Sequence, residues 1–240
     1  MCHRFGCHYT GALLLLAPIW RPAPDFQMEA THSFAPQLLL VIGAVVAYLI
    51  GSLSFAVIVS RLFGLDDPRT YGSGNPGATN VLRSGNKGAA VLTLLFDALK
   101  GYLPVFAVMQ LHGDVTLATV VGLGAFIGHL WPVFFKFEGG KGVATAAGVL
   151  LGFAPALGGL VLLVWIVMAV AFRYSSLAAL TASLAAPVIQ YLGWGFNSMT
   201  IGVIIMSALL IWRHEANIRK LLAGQESKLG QKAAKAGPSA

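Results

Sequence analysis

The stretch PQLLLVIGAVVAYLIGSLSFAVIVS, residues 36–60, decides the fold class, because its 25 residues include no charged side chain. A helix of roughly 20 apolar residues crosses a bilayer core of about 30 Å, so the stretch predicts a membrane span that ends at Arg61. Within it, Gly43, Ala47 and Gly51 recur every four residues. Small residues at this spacing favour close packing against another helix.

The composition extends this interpretation to most of the chain. Of the 240 residues, 57% are hydrophobic and only 10% are charged, whereas soluble domains carry about 25% charged residues. The sequence therefore predicts an all-α, polytopic membrane protein with about seven transmembrane helices. Five or six is the alternative if some segments are re-entrant. After the first span, the predicted segments are 89–110, 115–135, 143–156, 158–172, 177–193 and 198–212.

The distribution of lysine and arginine predicts the orientation. Thirteen of the sixteen lie where the odd-numbered spans end, in segments 61–88, 136–141, 173–176 and 213–240. The connections on the other side contain neither. Because positively charged loops stay cytoplasmic, we expect the N-terminus outside and the C-terminus in the cytoplasm. The polar loops that could form an active site then share the cytoplasmic face.

Both ends of the chain are expected to lie outside the functional domain, which we place at residues 31–230. Residues 1–30 contain an apolar run too short to span a bilayer, and Met28 precedes the first span. We interpret these residues as a dispensable or misassigned extension and predict no metal site at Cys2 and Cys7. Residues 231–240 are expected to form a flexible basic tail.

The first inner loop, DDPRTYGSGNPGATNVLRSGNKG at 66–88, contains the spacing G-x-G-x-x-G at Gly72, Gly74 and Gly77. A dinucleotide-binding fingerprint must follow a β-strand, but here the glycines follow a membrane helix. Glycine nevertheless allows backbone N–H groups to converge on an anion. Hydroxyl, amide and guanidinium groups accompany them at Ser73, Thr79, Asn80, Arg69 and Arg83. A phosphate pocket and a tight polar turn both fit this loop taken alone.

The second inner loop, GHLWPVFFKFEGGKGVAT at 128–145, places Lys141 among glycines just before a predicted helix. It lacks the Walker A spacing, since Phe135 stands where the first glycine should be. A lysine beside free amides at a helix N-terminus suits a phosphate. Two further inner segments, RYSSL at 173–177 and HEANIRKLLAGQESKLG at 214–230, also combine cations with polar groups. In the latter, His214 and Asn217 would share a helix face and could orient a hydroxyl nucleophile, or the segment could be a basic helix on anionic lipid.

Two charges lie inside the second predicted span, at Asp97 and Lys100. Charged residues at membrane depth are expensive and are often functional. The alternative is a self-neutralising pair that faces the bundle. His129, at the end of a predicted helix, is expected to be structural.

Taken together, GSGNPGATNVLR, GHLWPVFFKFEGGKGVAT, RYSSL and HEANIRKLLAG resemble the bacterial acyl-phosphate:glycerol-3-phosphate acyltransferase family, PlsY, over roughly residues 36–230. The resemblance implies a multi-pass enzyme of the bacterial inner membrane with a cytoplasmic active site. It would transfer a fatty acyl group from a long-chain acyl phosphate to glycerol 3-phosphate, giving lysophosphatidic acid and phosphate in the first step of phospholipid synthesis. A soluble enzyme that supplies acyl phosphate is a partner implied in the same way.

The resemblance also assigns roles to individual residues. We expect His214, Asn217 and Ser176 to be catalytic. The resemblance adds Ser73, Arg83 and Lys141 to the functional set and gives the glycine loop the phosphate of glycerol 3-phosphate. Together with the residues selected from the sequence itself, the expected substrate-binding residues are Ser73, Gly74, Asn75, Gly77, Thr79, Asn80, Arg83, Lys100, Gly140, Lys141 and Gly142. We predict no metal or other cofactor and no nucleic-acid partner; membrane lipids are the expected surroundings.

The residues themselves agree with this interpretation. Both proposed substrates carry phosphate, so cations must offset their repulsion, and an activated acyl donor requires no covalent enzyme intermediate. The chain has no G-x-S-x-G elbow, and no histidine is followed by aspartate five positions later. A transporter for a phosphorylated metabolite is the main alternative, although such proteins place their sites near the midplane of repeated halves. A metal-dependent phosphatidyltransferase would need clustered carboxylates, and the chain has nine acidic residues in all.

Overall fold

The computed structural model describes residues 35–230; the predictions for residues 1–30 and 231–240 lie outside the described residues. Within this part the chain forms ten α-helices and a short 3₁₀ turn at Val133–Phe135, with no strand. The helices are α1 Ala35–Gly51, α2 Phe55–Leu62, α3 Ala78–Leu82, α4 Lys87–Leu111, α5 Val115–Leu130, α6 Val143–Phe153, α7 Pro155–Phe172, α8 Ser175–Trp194, α9 Ser198–Arg213 and α10 Glu215–Leu222.

Each of the seven predicted apolar segments is largely helical, although the first is broken into α1 and α2 at residues 52–54. Not all of them are long enough to span a membrane. Among residues 35–230, five stretches qualify by length and composition. Helices α9 and α10 together make a sixth if the 58° bend between them is part of one span. Helix α6 has only 11 residues, or about 16 Å at 1.5 Å per residue. The count of seven is therefore not confirmed, and the described residues favour the alternative of five or six.

The helix boundaries follow local capping chemistry. Helix α4 begins after Asn86, whose side chain accepts a hydrogen bond from the Ala89 amide at 2.9 Å. Asp114 caps α5 by accepting from the amides of Thr116 and Leu117. Asn197 and Thr200 form a reciprocal capping box at the start of α9. Such side chains satisfy amides that have no partner within the helix.

Helix α5 is the centre of the bundle, with about two thirds of its most apolar window buried. The small-residue face predicted in the first span packs against it: Ala47 is buried, and a Cβ built on Gly51 would lie 2.1 Å from the Ala125 carbonyl oxygen. The outward faces of α1, α4, α7 and α8 expose leucine, valine and phenylalanine. Large exposed apolar surfaces suit a lipid environment.

The helix connections bring distant polar segments together. The backbone amide of Leu229 donates to the Arg173 carbonyl at 2.6 Å, which joins the C-terminal segment to the α7–α8 connection. Arg69 of the first loop lies 3.3 Å from the Glu138 carboxylate of the second. Arg83 of the first loop also donates to Ser227 of the C-terminal segment, so the four polar segments found in the sequence meet at one end of the bundle.

Candidate active site

A cavity of about 730 Å³ opens at this end of the bundle and continues between the helices. Its polar end is lined by the loop between α2 and α4, the loop between α5 and α6, the start of α8, the α9–α10 break and the segment after α10. Its apolar part runs between α4, α6, α7, α8 and α9, with Leu94, Leu150, Trp165, Ala182 and Met206 in its wall. One cavity therefore offers a place for a charged group and a place for a hydrocarbon chain.

The first glycine loop is folded around the Asn80 side chain. This side chain is 2% exposed; it donates to the carbonyls of Pro68 and Tyr71 and accepts from the Ser73 amide at 3.0 Å. Gly72 has φ +60°, and a Cβ there would lie 2.3 Å from the Asn80 oxygen, so only glycine fits. The predicted donor Asn80 thus has most of its hydrogen bonds inside the loop, where it holds Ser73 at the cavity.

Arg83 supplies a guanidinium group to the cavity from just beyond α3. One of its terminal nitrogens donates to the Ser227 hydroxyl and the other lies 3.5 Å from the Asn80 side-chain oxygen. Thr79, on α3, lies 3.3 Å from the Ser175 hydroxyl at the start of α8. Asn75 and Gly77 complete the part of this loop that lines the cavity.

Lys141 enters the cavity from the second loop, immediately before α6. Its ammonium group donates to the side-chain oxygen of Asn217. Burial lowers the pKa of Lys141 to about 8; the Glu226 carboxylate raises it, and Arg83 and Arg213 lower it further. A lysine with this pKa is mostly charged at neutral pH and loses its charge as the pH rises above about 8.

The predicted catalytic residues His214, Asn217 and Ser176 line the same cavity. His214 lies at the break between α9 and α10 rather than within one helix, and its ring nitrogen Nδ1 is 2.8 Å from the Leu210 carbonyl oxygen. That carbonyl can only accept, so Nδ1 carries the proton in this contact. In the neutral ring, Nε2 is then left as an acceptor.

A carboxylate that the sequence interpretation did not select joins these residues. One oxygen of Glu226 accepts from the Ser176 hydroxyl and from the Asn217 amide, each at 2.7 Å. Ser227, the next residue, accepts from Arg83. No motif or periodicity marks these positions, because only the return of the chain after α10 brings them to the cavity. Asp97 and His129 also line it.

Four residues suggested by the sequence do not line the cavity. Lys100 is 4% exposed; its ammonium group is 2.7 Å from Asp97 and donates to the Leu53 carbonyl. The structure therefore places it in the self-neutralising pair. Arg69 pairs with Asp67 and Glu138, and its guanidinium holds the pKa of Asp67 below the usual range. Gly74 and Gly140 are backbone positions beside the lining residues.

The residues described in the structure include no group of three or more histidine, cysteine, aspartate or glutamate side chains arranged to hold a metal ion. Four cationic side chains line the cavity instead: Arg83, Lys87, Lys141 and Lys228. The arrangement can therefore bind a phosphate-bearing molecule through protein groups, beside an imidazole and an amide that could orient a hydroxyl.

Comparison with known proteins identifies the family. The model of the family described as glycerol-3-phosphate acyltransferase matches residues 41–224. The chain belongs to the glycerol-3-phosphate acyltransferase family. Among its relatives are the glycerol-3-phosphate acyltransferases of Paraburkholderia phytofirmans and Burkholderia thailandensis, each 58% identical to it. The alignments cover 80% of this chain and 92% and 97% of those proteins.

Solved structures of glycerol-3-phosphate acyltransferases share the fold. The crystal structure of PlsY (YgiH), an integral membrane glycerol 3-phosphate acyltransferase, in its glycerol 3-phosphate form, superposes with a TM-score of 0.76 at 39% identity. The match covers 80% of this chain and 96% of that one. The lysophosphatidic acid form gives 0.75 at 38% identity, with coverage of 80% and 95%. The predicted family, the glycerol-3-phosphate acyltransferase activity and the multi-pass membrane fold are confirmed, and the transporter alternative finds no support.

Proposed function

We propose that the acyl donor of this acyltransferase is a long-chain acyl phosphate, and that the products are lysophosphatidic acid and inorganic phosphate. The observation that carries the proposal is one cavity that combines cationic side chains, among them Arg83 and Lys141, with an apolar continuation between the helices. A phosphate-bearing acceptor and a phosphate-bearing donor repel each other. Arg83 and Lys141 stand where they can offset that repulsion, and no nucleotide-binding element is needed for such a donor.

In this scheme the first glycine loop and the Lys141 segment share the binding of the two phosphates. Ser73, Arg83 and the ammonium of Lys141 hold the phosphate of glycerol 3-phosphate, while the same ammonium and the Gly142 amide neutralise charge that develops on the departing phosphate. Preorganised donors of this kind stabilise a transition state because they do not reorganise during the reaction. Ser176 and Asn217, which share the Glu226 carboxylate in the structure, position the attacking hydroxyl.

The reaction forms one bond and breaks one. The oxygen of the 1-hydroxyl group attacks the acyl carbonyl carbon, and the bond between that carbon and the phosphate oxygen breaks. The hydroxyl proton passes either to His214 Nε2 or to an oxygen of the phosphate. Since phosphate is already a good leaving group, the scheme requires no covalent acyl-enzyme.

The variant His214→Ala tests the role of the imidazole. A positioned general base contributes on the order of 10² to 10⁴ in rate, so we expect kcat to fall by at least about 100-fold while KM for glycerol 3-phosphate changes little. His112→Ala, an exposed histidine beyond the end of α4, is the matched control and should have wild-type kinetics. If His214→Ala kept the wild-type kcat, the imidazole would have no part in catalysis.

We further propose that the cavity faces the cytoplasm from a bacterial inner membrane, and that a soluble enzyme delivers the acyl phosphate. The excess of lysine and arginine in the inner segments supports this orientation. The orientation is compatible with a short α6, because α6 and α7 together return the chain to the side from which it entered. In a background with Cys2 and Cys7 replaced by serine, a membrane-impermeant maleimide added to spheroplasts should label His112→Cys and not Glu215→Cys. The reverse labelling pattern would contradict the orientation.

A further inference from the structure

The backbone of the glycine segment before Lys141 is held by a residue outside the cavity, Arg213 at the end of α9. Its terminal nitrogen Nη2 donates to the Gly139 carbonyl at 2.8 Å, and its Nε donates to the Gly140 carbonyl at 3.2 Å. The planar guanidinium thus spans two successive peptide groups. Both glycines are buried, so water does not readily replace these hydrogen bonds.

The opposite side of the segment is closed by the end of α5. The Gly140 amide donates to the His129 carbonyl at 3.2 Å. A Cβ on Gly139 would lie 2.2 Å from the His129 carbonyl oxygen, and one on Gly140 would lie 2.2 Å from the His129 ring nitrogen Nε2. The backbone before Lys141 therefore lies in a slot whose two walls are His129 and Arg213.

Arg213 is also covalently linked to the second part of the site, the His214–Asn217 segment. His214 follows it directly, at the point where the helix axis bends by 58°. On the far side of the cavity, Lys141 donates to Asn217 on α10. The Lys141 segment and the His214–Asn217 segment are consequently joined at two points, and Arg213 forms the one that does not face the cavity.

The charge of Arg213 is not neutralised by an ion pair within residues 35–230, where its side-chain hydrogen bonds go to the two carbonyls. The guanidinium is instead directed at the one backbone segment that presents Lys141.

We infer that Arg213 is a positioning residue of the acyltransfer reaction: its fork on the Gly139 and Gly140 carbonyls sets the distance between the phosphate-binding Lys141 segment and His214. The inference rests on the proposed function of these two groups. Arginine is required because a lysine ammonium, as a single point donor, does not bridge two carbonyls in a fixed plane. The positive charge alone is therefore insufficient.

Arg213→Lys is the decisive variant, because it keeps the charge and removes the fork. Misplacing a reacting group by about 1 Å can cost on the order of 100-fold in rate. We expect kcat/KM for glycerol 3-phosphate to fall roughly 10- to 100-fold, with KM raised and kcat lowered together. Arg219→Lys, which alters an exposed arginine paired with Glu215 on α10, is the matched control and should match the wild type.

Two further measurements separate positioning from folding. The melting temperature of each purified variant in detergent shows whether it is folded at the assay temperature. Loss of folded protein alone would lower the apparent kcat and leave KM unchanged; this result would overturn the inference. Wild-type kinetics for Arg213→Lys would overturn it too. Should that variant not fold, Arg213→Gln, which can still donate to one of the two carbonyls, takes its place with the same expected rise in KM.

Direct binding of glycerol 3-phosphate, measured by calorimetry without any acyl donor, keeps this test independent of the proposed donor. Weaker binding to Arg213→Lys than to the wild type and to Arg219→Lys supports the positioning role even if acyl phosphate proved to be the wrong donor. Equal binding by all three proteins, together with an unchanged KM, would contradict it.

Discussion

Lys141 is the residue for which the structure makes the sharpest prediction. Burial lowers its pKa to about 8, so the free enzyme begins to lose this cation just above neutral pH. Arginine keeps its proton far beyond that range, with a pKa above about 12. The change Lys141→Arg should therefore alter the pH dependence of the reaction, whereas Lys141→Met should remove the cation at every pH.

The expected sizes follow from the contacts of Lys141. A hydrogen bond to a charged group contributes about 1.5–3 kcal/mol, and each 1.36 kcal/mol of lost transition-state stabilisation is about tenfold in rate. Lys141→Met should then lower kcat/KM for glycerol 3-phosphate by roughly 10- to 150-fold at pH 7. Lys136→Met changes an exposed lysine of the same loop and should leave kcat/KM unchanged.

The assay is a pH profile of kcat/KM for glycerol 3-phosphate between pH 6 and 10, with the acyl donor saturating. This parameter reports ionisations of the free enzyme. The group is a cation whose pKa is lowered, so its charge is present below about pH 8 and is lost above it. The wild-type profile should fall above pH 8, and the Lys141→Arg profile should stay level there. An identical alkaline fall in both proteins would refute the reasoning.

Three further predictions concern the surroundings of the site. Because Glu226 raises the pKa of Lys141, Glu226→Gln should shift the alkaline fall of kcat/KM to lower pH; an unchanged or higher position would contradict the electrostatic role. Gly51→Ala, whose Cβ would lie 2.1 Å from a carbonyl oxygen of α5, should destabilise the bundle by about 1–3 kcal/mol, seen as a lower melting temperature in detergent. Gly159→Ala, which has no atom within 4 Å of the added Cβ, should be neutral or slightly stabilising, and equal effects of the two changes would count against the packing argument. Ala182→Phe fills the apolar part of the cavity at a position six residues, or about 9 Å, along α8 from Ser176. It should reduce turnover of palmitoyl phosphate by roughly tenfold and turnover of the shorter octanoyl phosphate by less. Equal losses with the two donors would place the acyl chain elsewhere.

Much of the fold follows from the sequence because lipid imposes a simple rule. Every backbone group in a bilayer must be satisfied internally, so apolar segments become helices. Lysine and arginine are concentrated in every second connection between these segments, which predicts the connections that share one side of the membrane. The number of spans is harder to predict, since α6 is apolar throughout yet has only 11 residues. The length of an apolar segment in the sequence also counts neighbouring loop residues, so it overestimates the length of the helix.

Part of the candidate site could likewise be predicted from the sequence, and part could not. Ser73, Arg83, Lys141, Ser176 and the His214–Asn217 pair carry recognisable motifs, and they all line one cavity. Lys100 could bind an anion, but its ammonium group contacts Asp97 and the Leu53 carbonyl and does not line the cavity. Which way a side chain points within a bundle depends on packing that no local pattern records.

Residues that act through the backbone are the least visible in the sequence. In the sequence, Arg213 is indistinguishable from the other cations beside the membrane spans. Only the structure shows the two carbonyl groups that it binds. Glu226 lies nine residues beyond Asn217, after the end of α10. The chain turns there and brings the Glu226 carboxylate back to the Asn217 amide. Both depend on tertiary contacts between segments that are distant along the chain.

The central claim is that this acyltransferase uses acyl phosphate and holds both phosphates with its own side chains. The most direct measurement is phosphate release by the purified protein from palmitoyl phosphate, with and without glycerol 3-phosphate, in EDTA. The account predicts release that requires glycerol 3-phosphate, yields lysophosphatidic acid in equal amount, and is not replaced by palmitoyl-CoA as donor. Product formation from palmitoyl-CoA but not from palmitoyl phosphate, or activity abolished by EDTA, would contradict it.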